Sequence, residues 1–136
     1  MLVAIGIGDN GKRRILGVSV SVSEHEVHWR TFLQSLVSRG LSGVQLIVSD
    51  AHEGLGAARR AVFGGVPWQR CQFHLQQNAQ AYVTRQELKA EVAADIRAIF
   101  NAPNRAEADA LLSKTVQKYA KSMPKLAQWL EAAVPE

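Results

Sequence analysis

A single cysteine, Cys71, stands in 136 residues, so no disulfide can form within the chain, which suits a reducing, cytoplasmic setting. The longest uninterrupted apolar run is only Met1–Ile5. A membrane-spanning helix needs about 20 apolar residues, so no transmembrane segment is expected. The start lacks the charged, apolar and small-residue succession of a secretory leader. Proline and glycine are also few, at 4 and 10, and 47% of residues are hydrophobic. That composition excludes a low-complexity or largely disordered chain and is enough for one ordinary domain.

What is present begins with charge. Sixteen Lys and Arg against twelve Asp and Glu leave a net charge of +4. Residues 1–75 hold eight basic and five acidic side chains, and residues 76–136 hold eight and seven, so the excess lies in the first part. A basic balance of this kind favours polyanionic partners such as nucleic acid.

Apolar β-branched runs at residues 2–8 and 14–20 flank Asn10-Gly11, the strongest short hairpin signal, because both turn residues tolerate positive φ. Ser23 with Glu26 has the form of a capping box. Trp29, Phe32, Leu33, Leu36 and Val37 then repeat at helical spacing, and Gly40 suits the left-handed residue that ends a helix. Val44–Val48 reads as a buried, parallel strand ending at Ser49-Asp50. A short helix from about Gly54 to Phe63 follows, then a strand over Trp68–His74. This β-β-α-β-α-β order is an α/β signature. From Leu75 onward the pattern is helical throughout. One helix is expected to be capped at Thr84, one to start at Asn104 with Glu107, and one to open at Pro124.

Asp50 is the most informative position for chemistry. Groups at the carboxyl ends of strands in open α/β sheets are exposed yet held in place. A carboxylate there could bind Mg²⁺, which takes hard oxygen ligands, or Ser49 or Asp50 could simply cap the next helix. Cys71 and His74 form a lone C-x2-H, two ligands where a closed zinc site needs four. On a strand, Cys71 and Phe73 would share one face and Arg70, Gln72 and His74 the other. His52 and Glu53 flank Asp50, and His25 and His28 share a helix face, a spacing that fits a polar helix flank as well as a metal pair. Lys12, Arg13, Arg14, Arg59, Arg60 and Arg70 could contact phosphates, or be solvated surface. Trp29 and Trp68 read as core.

The ordered set W-x2-F-L-x2-L-x2-R-G-L, then S-D-A-H-x-G-L, then Q-R-C-x2-H resembles the catalytic core of Mutator-type transposases over about residues 3–83, and more weakly through the helical tail. The resemblance implies a ribonuclease-H-like fold in which two Asp and one Glu hold two divalent metals, Mg²⁺ or Mn²⁺, for DNA cleavage and strand transfer. Asp50 matches the second Asp. Cys71 and His74 match a signature near the active site. Residues 1–75 would then be a partial core of hairpin, helix, parallel strand, helix and strand, and residues 76–136 an all-α insertion.

The same resemblance implies that the first Asp lies on a strand ahead of Leu2 and the Glu beyond Glu136. Neither Glu131 nor Glu136 carries the motif expected around that Glu. The chain thus reads as a fragment of a DDE transposase, inactive alone, with DNA as partner. The alternatives are a non-catalytic remnant that binds DNA or protein, and an unrelated metal-dependent nuclease. A missing central strand would leave apolar edges on Leu2–Gly8 and Val44–Val48. Either the hairpin closes onto Val44–Val48 or a second copy supplies the missing pairing, and a homo-oligomer is the expected outcome.

Overall fold

The hairpin turn forms where the sequence places it, but it closes around Asp9 and Asn10, the Gly11 N–H donating to the Gly8 carbonyl at 2.9 Å, and of the Asn-Gly pair only Gly11 takes a positive φ. In the computed structural model, which describes residues 1–135, strands β1 (Leu2–Ile7) and β2 (Arg13–Ser19) pair antiparallel, with Leu2 opposite Ser19 and Ile7 opposite Arg13. Gly11 takes φ +73°, and the Asn10 side-chain oxygen accepts the Lys12 N–H at 3.0 Å. Glu136 lies outside the described residues. The ladder is interrupted once: Ala4 faces Gly17 while Ile5 faces Ile15, which makes Leu16 the extra residue of a bulge. The Arg39 guanidinium donates to the Leu16 carbonyl at 2.7 Å, so the bulge leaves no orphaned acceptor there.

Helix α1 (Glu26–Ser38) covers one face of the hairpin through Phe32 and Leu36, which form a core with Leu2. Its start corrects the expected capping box. Ser23 caps nothing: its N–H donates to Ser21 Oγ at 3.3 Å, its hydroxyl is hydrogen-bonded with His25 Nδ1 at 3.2 Å, and His25 holds the N-cap position without a side-chain bond to the helix backbone. Such local hydroxyl bonds compete with helical ones. The C-terminus behaves as expected. Gly40, at φ +107°, donates to the Val37 carbonyl and Leu41 to the Leu36 carbonyl, both at 3.0 Å, which is the Schellman pattern.

Strand β3 is Ile47–Ser49, shorter than the expected Val44–Val48 run. Its partner is β4 (Trp68–Arg70), also three residues, and a ladder cannot outrun its partner. Between them α2 (Glu53–Val62) packs against α1. The four strands lie in two separate two-stranded sheets, so the hairpin does not close onto β3. The face of the hairpin away from α1 leaves Val3, Ile5, Ile7, Ile15 and Val18 exposed.

The chain divides into two compact units, Met1–Gln69 and Arg70–Glu136. In the second, α3 (Gln72–Gln80) begins where a strand was expected to run on to His74. Helical spacing brings Leu75 and Ala79 together into the core, and Cys71 becomes the N-cap, its carbonyl accepting the Leu75 N–H at 2.9 Å. A 3₁₀ turn at Gln86–Leu88, flanked by Arg85, takes the place of the Thr84 cap before α4 (Lys89–Phe100). Helix α5 (Arg105–Tyr119) has the expected cap. Asn104 Oδ1 accepts the Glu107 N–H at 2.9 Å and Asn104 Nδ2 donates to Glu107 Oε1 at 3.3 Å. Pro124 opens α6 (Pro124–Ala133). Leu75, Val92, Ile96, Leu126 and Leu130 are fully buried, each contributing about 1.5–3 kcal/mol against exposure. Among the described residues no helix is long and apolar enough to cross a membrane.

Candidate functional site

Asp50 directly follows β3 and opens the loop into α2. That loop is held in part by Trp68 on β4, which donates its indole N–H to Ser49 Oγ at 2.9 Å, and by the Ser49 hydroxyl, which donates to the Asp50 carbonyl at 2.9 Å. Asp50 is half-buried, and its Oδ1 accepts the Ala51 N–H at 2.8 Å. Neither Ser49 nor Asp50 caps α2. His52 does so, with Nδ1 accepting the Leu55 N–H at 3.3 Å. That bond leaves the ring proton on Nε2, which lies 3.8 Å from the Glu24 carboxylate. His52 is thus a structural part of the loop, a role that sequence alone did not assign because histidine is an uncommon cap.

Gly54 explains its place in S-D-A-H-E-G-L. A Cβ there would lie 2.7 Å from the Glu24 carbonyl oxygen and 2.9 Å from the Glu26 nitrogen. The first turn of α2 thereby seats directly on the backbone that precedes α1, which fixes the exit direction of the loop carrying Asp50. The sequence showed the glycine but not the segment that presses on it.

The other candidates fall into three groups. Lys12, Arg13 and Arg14 are exposed at the hairpin end, and Arg60 is exposed on α2. Arg59 is half-buried with its guanidinium 5.0 Å from the centre of the Trp68 ring, a cation–π geometry. Its pKa is lowered by desolvation first and by neighbouring Arg60 second. Arg70 similarly lies over the Trp129 ring at 5.2 Å. Trp68 therefore serves as a platform for Arg59 and an anchor for Ser49, and Trp29 packs beside Phe32 with ring centres 6.1 Å apart.

Cys71 and His74 do not alternate on a strand. They occupy the N-cap and third positions of the first turn of α3, with Cys71 half-buried and His74 exposed against the edge of Phe73, ring centres 5.6 Å apart. His25 and His28 lie at and just inside the start of α1. Among the described residues no three His, Cys, Asp or Glu side chains converge on one point in a way that could hold a metal ion.

The family model "Transposase, Mutator family" matches residues 1–136. The chain is 60% identical over its full length to the transposase for insertion sequence element IS406 of Burkholderia multivorans, covering 35% of that protein. It is 35% identical over its full length to the transposase for ISRM5 of Rhizobium meliloti, covering 34% of it. Over 132 residues it is 35% identical to the transposase for IS1081 of Mycobacterium tuberculosis, covering 32%. The chain spans about a third of the length of these relatives. It belongs to the Mutator family of transposases.

Proposed function

We propose that this chain is part of the catalytic region of a DDE-type DNA transposase with a ribonuclease-H-like core, to which Asp50 contributes one metal-binding carboxylate for phosphoryl transfer on DNA. The observation that carries this reading is the position of Asp50, immediately after β3 in a loop anchored by Trp68, Ser49 and the His52 cap. A carboxylate there suits Mg²⁺ or Mn²⁺ by donor type. Two-metal catalysis, however, needs several carboxylates converging on ions about 4 Å apart, and the described residues bring no such group together. The reading assigns the remaining ligands to the two thirds of the relatives' length that the chain does not span.

Exposed Lys12, Arg13, Arg14 and Arg60 supply phosphate contacts in this reading, a sequence-independent contribution to DNA affinity. Homo-oligomerisation belongs to it as well, because β1 is paired on one side only and its outward Val3, Ile5 and Ile7 are exposed.

The test is a Mn²⁺ titration followed by amide NMR, run alongside a plasmid cleavage assay. The expected result is weak paramagnetic broadening centred on residues 49–53, abolished in Asp50→Asn, with no metal-dependent DNA cleavage by the 136-residue chain. Broadening centred elsewhere, or unchanged in Asp50→Asn, would remove Asp50 from the metal site. Cleavage by the chain that vanishes in Asp50→Ala would overturn the inactivity.

A further inference from the structure

One groove in the first unit does not involve Asp50. It has a volume of about 390 Å³ and lies between the far end of β2 and one face of α1. On the helix side it is lined by His28, Thr31, Ser35 and Arg39, which recur three to four residues apart and so share one face. On the strand side Ser19 and Ser21 contribute.

The strand side carries a conflict between pattern and structure. Residues 18–23 read V-S-V-S-V-S, the strict alternation of a half-buried strand. Yet β2 ends at Ser19, where the pairing with Leu2 ends, and Val20 and Val22 are 89% and 99% exposed. Among the described residues Val20, Ser21 and Val22 make no backbone–backbone hydrogen bond. An alternating strand with an unpaired edge and bare valines has the form of a template for another strand.

The chemistry of the groove selects its occupant. Thr31 donates its hydroxyl proton to the Val27 carbonyl at 2.9 Å, Ser35 to the Phe32 carbonyl at 2.6 Å, and Ser21 to the Ser23 carbonyl at 2.6 Å. With their protons committed to the chain's own backbone, these hydroxyls offer lone pairs, which attract N–H donors and repel an anion's oxygens. Arg39 is the exception. It is exposed, places a nitrogen 2.8 Å from where a Cβ of Gly17 would stand, and uses one nitrogen on the Leu16 carbonyl, leaving further N–H donors for a carboxylate.

We propose that the groove between the Val18–Val22 edge and α1 receives an extended peptide segment, added to the hairpin as a further strand, with a carboxylate of that segment paired to Arg39. Main-chain bonds along the edge hold the segment, its apolar side chains lie beside Val18, Val20 and Val22, and the acidic side chain fixes its register.

The test is a ¹⁵N amide NMR titration of the 136-residue chain with an acetylated, amidated heptapeptide of alternating threonine and valine that carries one glutamate at its end. The expected shifts are confined to residues 18–22 and to the His28–Arg39 face of α1. Arg39→Gln weakens binding at least fivefold. Replacing the peptide's glutamate by glutamine weakens it equally, and the two changes together do no more than either alone. Because Arg39 also satisfies the Leu16 carbonyl, a second variant, Val20→Pro, removes an edge N–H without touching Arg39 and is expected to abolish binding. Shifts that are absent or fall elsewhere would overturn the proposal, as would full-strength binding by Val20→Pro. So would inorganic phosphate or a twelve-nucleotide DNA strand that produces the same shifts and displaces the peptide, since the groove would then be a nucleic-acid site.

Discussion

Replacing Gly54 by alanine in the loop-to-helix junction that carries Asp50 opposes two effects of known size. Alanine is a better helix former than glycine by about 1 kcal/mol in a helix interior, and by less in a first turn, where Gly54 lies. Against that gain, the new methyl would stand 2.7 Å from the Glu24 carbonyl oxygen and 2.9 Å from the Glu26 nitrogen. Both are main-chain atoms, so relief requires moving a backbone segment, and overpacking of this kind costs about 1–3 kcal/mol. The net expectation is a loss of about 1–2 kcal/mol. For a unit of this size a loss of 1 kcal/mol lowers Tm by about 4–8 °C.

Gly56, one half-turn along the same helix, is the internal control. There a Cβ would meet only the tip of the flexible Arg60 side chain, at 3.3 Å, so Gly56→Ala is expected to stabilise by about 0.5–1 kcal/mol. Far-UV circular dichroism during urea and thermal unfolding of the two variants measures both numbers. A Gly54→Ala midpoint at or above that of the parent would refute the claim that α2 seats on residues 24–26. Equal losses in both variants would refute the assignment of the cost to that contact.

In the helical unit, Tyr119 donates to Asp95 at 2.5 Å, and Tyr119→Phe is expected to cost about 1–2 kcal/mol by urea unfolding. Burial first, and the Asp95 hydrogen bond second, push the Tyr119 hydroxyl up to about 12. Its stabilisation is therefore complete below pH 10 and is lost as pH rises toward 12, and ultraviolet titration should lose a transition near that value in Tyr119→Phe. Asp95 is shifted the other way. Burial works against its charge, but hydrogen bonds from Lys118 and Tyr119 outweigh it, so its contribution is lost only as pH falls below the ordinary carboxylate range. At the end of α1, Gly40→Ala forces a side chain onto φ +107° and is expected to lower stability by about 1 kcal/mol, read by thermal unfolding. Asn104→Ala removes both bonds to Glu107 and should cost about 1 kcal/mol by the same assay.

The sequence by itself determined those features whose cause is local. Asn10-Gly11 marks the hairpin because turn geometry depends on a few consecutive residues, here Gly8 to Lys12 with Gly11 at positive φ. Gly40, Asn104 and Pro124 set helix ends because a cap involves a few neighbouring backbone groups, and the long stripes from Trp29 to Leu36 and from Leu88 to Ile99 mark helices because several turns repeat one period. The motif set that carries the family was legible in the same way, as was the position of Asp50 at a strand end.

Tertiary structure decided the rest, wherever a short segment had two local options. Trp68–His74 is too brief to separate a period of 2 from one of 3.6, and burial of Leu75 and Ala79 in the helical core turned its second half into α3. Val44–Val48 has the composition of a strand, but only the residues facing the short β4 became one. Ser23 gave up its cap to local bonds with Ser21 and His25, and His52 took the cap of α2 that Ser49 and Asp50 also offered. The first two outcomes depend on a partner distant in the chain or on a core assembled from several elements, which no local pattern encodes, and the two caps are choices among competing neighbours that the pattern left open.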